Sequence, residues 1–284
     1  MRKLLSSLLF LPILGVNAQV SSDVKSDFNA MFSDSTLRID YNFTGTSQTQ
    51  EIALDELHVS KGWYGRRVNM QKLPLAGNGQ IVMKDSQSGR EIYKASFSTL
   101  FQEWQTSEEA TQVRKSFENT FQLPFPRRDA KVEVTLFNTH REPIYKFEHQ
   151  VKVDDILIRP LPTLPQHPYK YIHHGGESNK CIDVAIVAEG YTAAESNVFY
   201  ADAERATQEI LKYKPFSDFK DRFNFVAVAV PSIESGVSIP HNNDWKQTAL
   251  HSNFDTFYSK RYLTTLKLKA LNDALAGVPY EHIL

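Results

Sequence analysis

Nine histidines make a metal centre the first chemistry to consider in this sequence. A helical zinc site needs two histidines four residues apart with a glutamate between them, and no His-Glu-x-x-His pattern occurs. His174 and Glu177 begin the inverted form of this motif, but Ser178 stands where its second histidine is required. We therefore expect no metal ligands in this chain and interpret the segment around His173 and His174 as a flexible polar loop, with metal binding as the alternative.

Nucleophilic catalysis has two candidates. Ser235 follows an apolar segment, but the Gly-x-Ser-x-Gly elbow is absent, so a serine hydrolase remains a third-ranked alternative that would need a histidine and an aspartate nearby. The single cysteine, Cys181, enters an apolar run, which predicts a buried structural thiol.

Binding residues are predicted at the ends of two strands. Residues 182–188 and 223–230 are almost continuously apolar, as expected of strands covered on both faces. In open α/β sheets, ligands gather outside the carboxyl ends of the strands. We therefore expect the two loops at these ends to be neighbours. The candidate residues of a substrate cleft are Glu189, Gly190, Tyr191, Ser235, Gly236 and His241.

A structural role is the competing interpretation of the same residues. Glu189 could be a surface carboxylate near a helix N-terminus, and Tyr191 could be a packed ring. His241 carries the same two possibilities.

A helix is predicted between the two strands. Thr192 and Glu195 form a capping-box pattern, so the helix should begin at Thr192. Strand, helix and strand in this order predict a βαβ unit. The apolar stripe of the predicted helix consists of Phe199, Ala203, Ala206, Ile210 and Tyr213.

The upstream part of the chain is predicted to be a β-sandwich. A short helix is expected at residues 106–109, and a strand is favoured beyond Arg114. Four prolines at positions 160–168 predict an extended linker over residues 161–170. The predicted strands cover residues 36–45, 80–84, 91–97, 131–137 and 144–153.

Downstream of the second strand, residues 253–262 and 265–276 are predicted helices. The apolar end at Ile283 and Leu284 is typical of the start of a strand, and we expect the domain to continue beyond it. The expected organisation is a sandwich domain at 19–160, the linker at 161–170 and a truncated domain at 171–284.

Composition excludes one class of partner. The chain has 284 residues, of which 41% are hydrophobic, and its 32 basic and 33 acidic residues leave a formal charge of -1. Because there is no basic block, we expect no nucleic-acid partner.

The N-terminus is typical of a cleavable signal peptide at residues 1–18. Arg2 and Lys3 precede an apolar run, and cleavage is expected after Ala18. No cysteine follows to accept a lipid, and the run is too short for a confident membrane span. We expect a secreted or periplasmic protein that is not a lipoprotein and has no membrane span in the mature chain.

Several of these segments resemble the M64 metallopeptidases, often called the IgA peptidase M64 family. In the downstream part the similar segments are residues 183–192 (DVAIVAEGYT), 214–216 (KPF), 223–225 (FNF) and 232–237 (SIESGV). In the upstream part, residues 96–104, 116–118 and 124–126 look like the β-sandwich that precedes the peptidase domain in Bacteroides-type members.

The resemblance implies a secreted zinc endopeptidase acting on a protein or peptide substrate. It implies an α+β multidomain fold, with an N-terminal all-β sandwich followed by a truncated α/β metallopeptidase domain. The family's metal-binding helix follows the region matched here, so the zinc ligands are expected beyond Leu284. We expect zinc in the full-length protein, and neither bound zinc nor peptidase activity in this chain alone. The alternative is a secreted adhesin or glycan- or protein-binding module with a structural α/β domain.

Overall fold

The computed structural model describes residues 28–73 and 75–284, so the predicted signal peptide lies outside the described residues. The described chain contains three sheets of four strands each. Among these residues no helix combines the length and the apolar character needed to cross a membrane.

The first two sheets come from the upstream part of the chain. One has the strand order β5-β1-β2-β8 and the other β4-β3-β6-β7. Short helices α1 (Phe28–Met31) and α2 (Leu100–Trp104) accompany them. The strands are β1 (Phe32–Gly45), β2 (Gln50–Lys61), β3 (Gly79–Asp85), β4 (Glu91–Phe97), β5 (Lys115–Pro126), β6 (Ala130–Phe137), β7 (Pro143–Val151) and β8 (Arg159–Pro160).

These two sheets share one hydrophobic core. Strand β6 alternates strictly between buried and half-buried positions, which is the period of two expected of a strand with one face against a core. Tyr41 and Phe43 of β1 are fully buried, as are Phe101 and Trp104 of α2. Burying a large apolar side chain contributes roughly 1.5–3 kcal/mol. The aromatic side chains therefore account for much of the stability of this part.

Two features here differ from the sequence prediction. Strand β2 was not predicted, although it pairs with β1 over almost its whole length. The predicted helix at 106–109 is wrong, because only a single 3₁₀ turn forms, at Glu109–Thr111. The Glu109 carboxylate accepts a hydrogen bond from Trp104 Nε1 at 2.8 Å, so it is not available to cap a helix at Thr106. The strand favoured beyond Arg114 is β5.

The third sheet belongs to the downstream part and has the order β12-β10-β11-β9. Strands β10 and β11 pair in parallel, with Val184 opposite Phe225, whereas β9 is antiparallel to β11. Two helices, α3 (Ser196–Ile210) and α4 (Leu268–Ala274), are in the same part. The strands are β9 (Tyr169–His174), β10 (Ile182–Val187), β11 (Phe223–Val228) and β12 (His282–Ile283).

The helix between β10 and β11 differs in detail from its prediction. The capping box of Thr192 and Glu195 is present, but the first turn is 3₁₀ and α3 begins at Ser196. Phe199 and Ala203 are buried as predicted. Ala206 is exposed, Thr207 is buried in its place, and Tyr213 lies beyond the helix and is exposed. The buried residues Phe199, Ala203 and Thr207 are therefore four positions apart, which places them on one face of the helix.

Of the two predicted downstream helices, only the second forms, and it is shorter than predicted. Residues 253–262 do not form a helix; only Thr256–Tyr258 makes a 3₁₀ turn, and Asp255, Phe257 and Tyr258 all have positive φ. Left-handed backbone at non-glycine residues interrupts a right-handed helix. The second prediction is too long at both ends, since α4 covers only Leu268–Ala274.

The flexible-loop interpretation of His173 and His174 is wrong. Both residues belong to β9, where they pair with Phe225 and Asn224 of β11. Tyr169 and Lys170, which the sequence places at the end of the linker, also belong to β9. The prediction for Cys181 is confirmed: the thiol is free and buried, and burial raises its pKa.

Helix α4 lies against the sheet that contains β1 and β5. Arg38 of β1 donates hydrogen bonds to the Asp273 carboxylate and to the Lys269 carbonyl. The Lys269 amide donates to Glu118 of β5 at 3.0 Å. Gln122 of β5 adds a hydrogen bond to the hydroxyl of Tyr280, downstream of α4. The upstream and downstream parts are therefore joined by a polar contact.

Candidate functional site

The loops that follow β10 and β11 contact each other directly, as predicted. The Gly190 amide donates to Ser232 Oγ at 3.0 Å, and the Ser232 amide donates to the Tyr191 carbonyl at 2.8 Å. The Gly236 amide donates to the Gly190 carbonyl at 2.8 Å. These bonds fasten the two loops to each other at the carboxyl edge of the parallel strands.

Gly190 is the point of closest approach between the loops. Its φ of +77° lies in the left-handed region, which side-chain-bearing residues rarely adopt. A Cβ atom at this position would lie 2.5 Å from the Gly236 carbonyl oxygen. Gly190 is thus required by the backbone geometry, and no side chain can enter the cleft from this position.

Glu189 anchors a third loop. Its carboxylate accepts hydrogen bonds from Thr248 Oγ1 at 2.6 Å, from the Leu250 amide at 2.9 Å and from the Ser252 amide at 2.8 Å. All three donors belong to the loop of residues 248–252, so both carboxylate oxygens are turned toward that loop. The structure therefore supports the structural interpretation of Glu189. Sequence reasoning missed Thr248 and Ser252, which lie about sixty residues away and carry no motif.

Tyr191 is half-buried and its hydroxyl is engaged. It donates to Asp202 Oδ2 of α3 at 2.8 Å, and its ring lies 5.4 Å from that of Phe199. Partial burial, followed by the bond to Asp202, raises the pKa of Tyr191. Tyr191 therefore stays neutral and fixes the loop on α3, which again matches the packed-ring interpretation.

Ser235 is exposed and its hydroxyl donates to Glu195 Oε1 at 2.8 Å. The other Glu195 oxygen accepts the capping bonds of Thr192. The observed partner of the Ser235 hydroxyl is thus a helix-capping carboxylate and not an imidazole. A serine nucleophile needs an adjacent base such as histidine, so this contact gives no support to the serine hydrolase alternative.

His241 forms a pair with Asp255. The imidazole donates from Nδ1 to Asp255 Oδ2 at 2.8 Å, and the His241 amide donates to the same oxygen at 3.0 Å. The side-chain bond from His241 is the main reason that the pKa of Asp255 is lowered. Because Nδ1 is held by Asp255, Nε2 is the ring nitrogen that remains free. The His241 side chain is also exposed. Of the six candidate residues, His241 is the one whose side chain is oriented and chemically available.

No sequence signal identified Asp255 as the partner of His241. The two residues are fourteen positions apart, and residues 253–262 were expected to form a helix. Asp255 instead has a φ of +60° at the start of the 3₁₀ turn. The pair thus depends on a loop conformation that no motif predicts.

The residues at this edge do not provide the donor set of a catalytic zinc site. Such a site uses three protein ligands, commonly with two or three imidazoles. His241 is the candidate imidazole here, and the Glu189 carboxylate is turned toward the 248–252 loop. His173 lies on β9, with Nε2 2.8 Å from the Lys220 carbonyl oxygen. Within residues 28–73 and 75–284, one group of three metal-ligating side chains comes together, and it lies elsewhere, in the sheet of β1 and β2.

Two family models match the chain. The first is described as peptidase M64 N-terminus and matches residues 27–148, and the second is described as IgA peptidase M64 and matches residues 171–284. No curated protein matches the sequence. The two matches follow each other in order, account for most of the chain, and include the candidate site in the second. The chain belongs to the peptidase M64 family.

Proposed function

We propose that this chain carries part of a secreted zinc-dependent endopeptidase of the M64 type, and that it is inactive on its own. The observation that carries the proposal is the match of residues 171–284 to the IgA peptidase M64 model, a region that contains the loops joined at Gly190. The absence of a His-Glu-x-x-His motif from the sequence supports the inactivity of the chain by itself.

The proposed organisation is a signal peptide at residues 1–18, a β-sandwich at 19–160, a linker at 161–170 and an α/β peptidase region with a βαβ unit from 171. The two sheets around one core support the sandwich, and the parallel pair β10 and β11 around α3 supports the βαβ unit. The proposed substrate is a protein or peptide.

In this proposal the residues of the candidate site bind and orient the substrate. Gly190 and Gly236 keep the loop junction free of side chains, and Glu189 holds the loop of Leu250 in place. His241, fixed by Asp255, offers Nε2 as a hydrogen-bonding group to a substrate carbonyl or carboxylate. Zinc would supply water activation and polarisation of the scissile carbonyl, with ligands that this edge does not provide.

The test compares two proteins. One is the 284-residue chain, and the other is the chain extended by the coding sequence that follows residue 284 in its gene. Both are assayed on an unstructured protein, with and without a chelator. We expect cleavage by the extended protein only, its loss with chelator and its recovery with zinc. Cleavage by the 284-residue chain, or chelator-resistant cleavage by the extended protein, would contradict the proposal.

His241 is tested in the extended protein. His241→Ala should lower kcat/KM by about 10²-fold if the imidazole contacts the reacting carbonyl. His140→Ala, at an exposed histidine in the turn between β6 and β7, is the matched control and should leave kcat/KM unchanged. Equal effects of the two substitutions would remove His241 from the substrate site.

A further inference from the structure

The group of metal-ligating side chains in the first sheet arises from the pairing of β1 with β2. Arg38 lies opposite His58, and Asp40 lies opposite Glu56. Opposed residues of an antiparallel pair share one face, and so do residues two apart on one strand. The four ionisable side chains therefore occupy one patch on the face of the sheet where Arg38 meets α4.

His58 is the buried histidine of the group, and its ring nitrogens lack hydrogen bonds. It is 3% exposed. A buried polar group that is left unpaired costs free energy, and such groups in proteins usually have a partner. His58 Nε2 lies 3.2 Å from Glu56 Oε2 and 3.4 Å from Asp40 Oδ2. Nε2 thus lies at ion-pair distance from two carboxylate oxygens, whereas Nδ1 has no hydrogen-bond partner.

These distances fit ligands of one metal ion. Zinc binds imidazole nitrogen at about 2.0–2.1 Å and carboxylate oxygen at about 2.0–2.2 Å, so neighbouring ligand atoms of a tetrahedral site lie about 3.2–3.5 Å apart. The three candidate atoms on Asp40, Glu56 and His58 all lie within 4.8 Å of one another. One imidazole with two carboxylates favours a first-row divalent cation such as zinc over magnesium or calcium, which prefer oxygen ligands alone.

The two carboxylates are held in place by arginines. Arg38 Nε and Thr120 Oγ1 donate to Asp40 Oδ1, at 3.0 and 2.8 Å, and Arg159 lies 3.1 Å from Glu56 Oε1. Asp40 Oδ2 and Glu56 Oε2 are the oxygens that face His58.

The same arginines limit the affinity. Arg38 Nη2 also lies 2.8 Å from Asp40 Oδ2, so a cation would share that oxygen with a guanidinium. The positive charges of Arg38 and Arg159 repel a cation bound at the site. We therefore expect weaker binding than at a site with several imidazoles and no nearby arginine. The Glu56 side chain is 44% exposed, which gives an ion a route of entry and leaves room for water as a fourth ligand.

We propose that Asp40, Glu56 and His58 form a zinc site that joins β1 to β2 beneath α4. The site is separate from the edge at Gly190 and does not depend on the proposed peptidase function. It departs from the expectation, drawn from the sequence, that the chain binds no zinc. The contacts of Arg38 with Asp40 and with α4 couple the site to the junction between the upstream and downstream parts.

The 284-residue chain is well suited to test this site, because it contains no His-Glu-x-x-His motif to compete for zinc. The metal-free chain is dialysed against micromolar zinc, and bound metal is measured by elemental analysis. We expect about one zinc per chain, a higher Tm with zinc, and tetrahedral d–d absorption when cobalt replaces zinc. A chain that binds no zinc under these conditions would overturn the proposal.

Variants locate the bound ion. Glu56→Gln should fold, since Glu56 is half exposed. It should weaken zinc binding at least about tenfold, because losing even a residue that hydrogen-bonds to a metal ligand lowers metal affinity by about that factor. His58→Ala should abolish binding. Glu51→Gln, on the same strand but outside the group, and His173→Ala should bind zinc normally. Loss of zinc in His173→Ala, or unchanged affinity in Glu56→Gln with circular dichroism showing both folded, would place the ion elsewhere and refute the proposal.

Discussion

Arg38 and Asp273 form an ion pair across 235 positions of the sequence. The arginine is 2% exposed and also holds Asp40, which is 1% exposed, whereas Asp273 is 59% exposed. One guanidinium thus neutralises a buried carboxylate in β1 and reaches the end of α4. The contact places a buried cation at the junction of the two family-matched regions.

Replacing Arg38 should destabilise the whole chain. Arg38→Ala leaves the Asp40 carboxylate buried beside two partners instead of three, and breaking a buried pair in this way costs about 3–5 kcal/mol. The control Asp273→Asn removes the exposed partner and should cost less than about 1 kcal/mol. Urea unfolding at neutral pH measures both. Similar losses in the two variants would show that the buried pair with Asp40 is not the important contact.

Gly190 and Gly236 offer a matched pair of glycines with positive φ. Gly190→Ala adds a Cβ that meets the Gly236 carbonyl oxygen at 2.5 Å, whereas the same atom at Gly236 meets nothing within 4 Å. Both substitutions incur about 1 kcal/mol of left-handed backbone strain, and only Gly190→Ala adds a steric clash. We expect the thermal unfolding midpoint to fall clearly further for Gly190→Ala. Equal shifts would argue against the close contact of the two loops.

Glu189 should stabilise the loop of residues 248–252. Glu189→Ala leaves the Leu250 and Ser252 amides without their acceptor, and each unsatisfied buried donor costs about 1–3 kcal/mol. Thr248→Val removes only one of the three bonds and should cost about 1 kcal/mol. Hydrogen exchange measured by mass spectrometry should show faster exchange at 248–252 in Glu189→Ala. Unchanged exchange there would mean that the carboxylate does not hold the loop.

Glu281 should make stability depend on pH. Burial and the nearby Asp183 raise the pKa of Glu281 from 4.5 to about 7. The folded state therefore holds this proton more tightly than the unfolded state, so stability is greatest below pH 4.5 and is lost as the pH rises to about 7. The loss amounts to up to ~3 kcal/mol.

Glu281→Gln should remove this dependence. The variant should be more stable than the parent chain at about pH 8 and similar to it at about pH 5, because glutamine resembles the protonated acid. Glu177→Gln, at an exposed carboxylate, is the control and should follow the parent chain at both values. Urea unfolding at the two pH values tests the prediction. A parent chain and a Glu281→Gln variant with the same pH profile would exclude a raised pKa.

Local patterns identified the elements that later proved central. The apolar runs at Ile182–Val187 and Phe223–Val228 are strands, and the capping box at Thr192 is formed. Such features can be predicted from sequence because the periodicity of apolar residues and helix capping depend on residues that are close together in the chain. The same rules failed at residues 253–262, where Asp255 has a positive φ and its carboxylate binds His241. Side-chain partners from outside the segment determine that conformation, so no propensity could predict it.

The sequence by itself determined the order of β10, α3 and β11, the candidate loops and the resemblance to the M64 family. Only the tertiary structure decided what the candidate residues do, since the partners of Glu189 are loop amides about sixty positions away. It also decided that Asp40, Glu56 and His58 share one patch, because β1 and β2 pair in a register that brings them together. The sequence shows which side chains can form hydrogen bonds or bind ligands. Which partners they contact depends on the packing of distant segments, because buried polar groups must find hydrogen-bond partners in the folded chain.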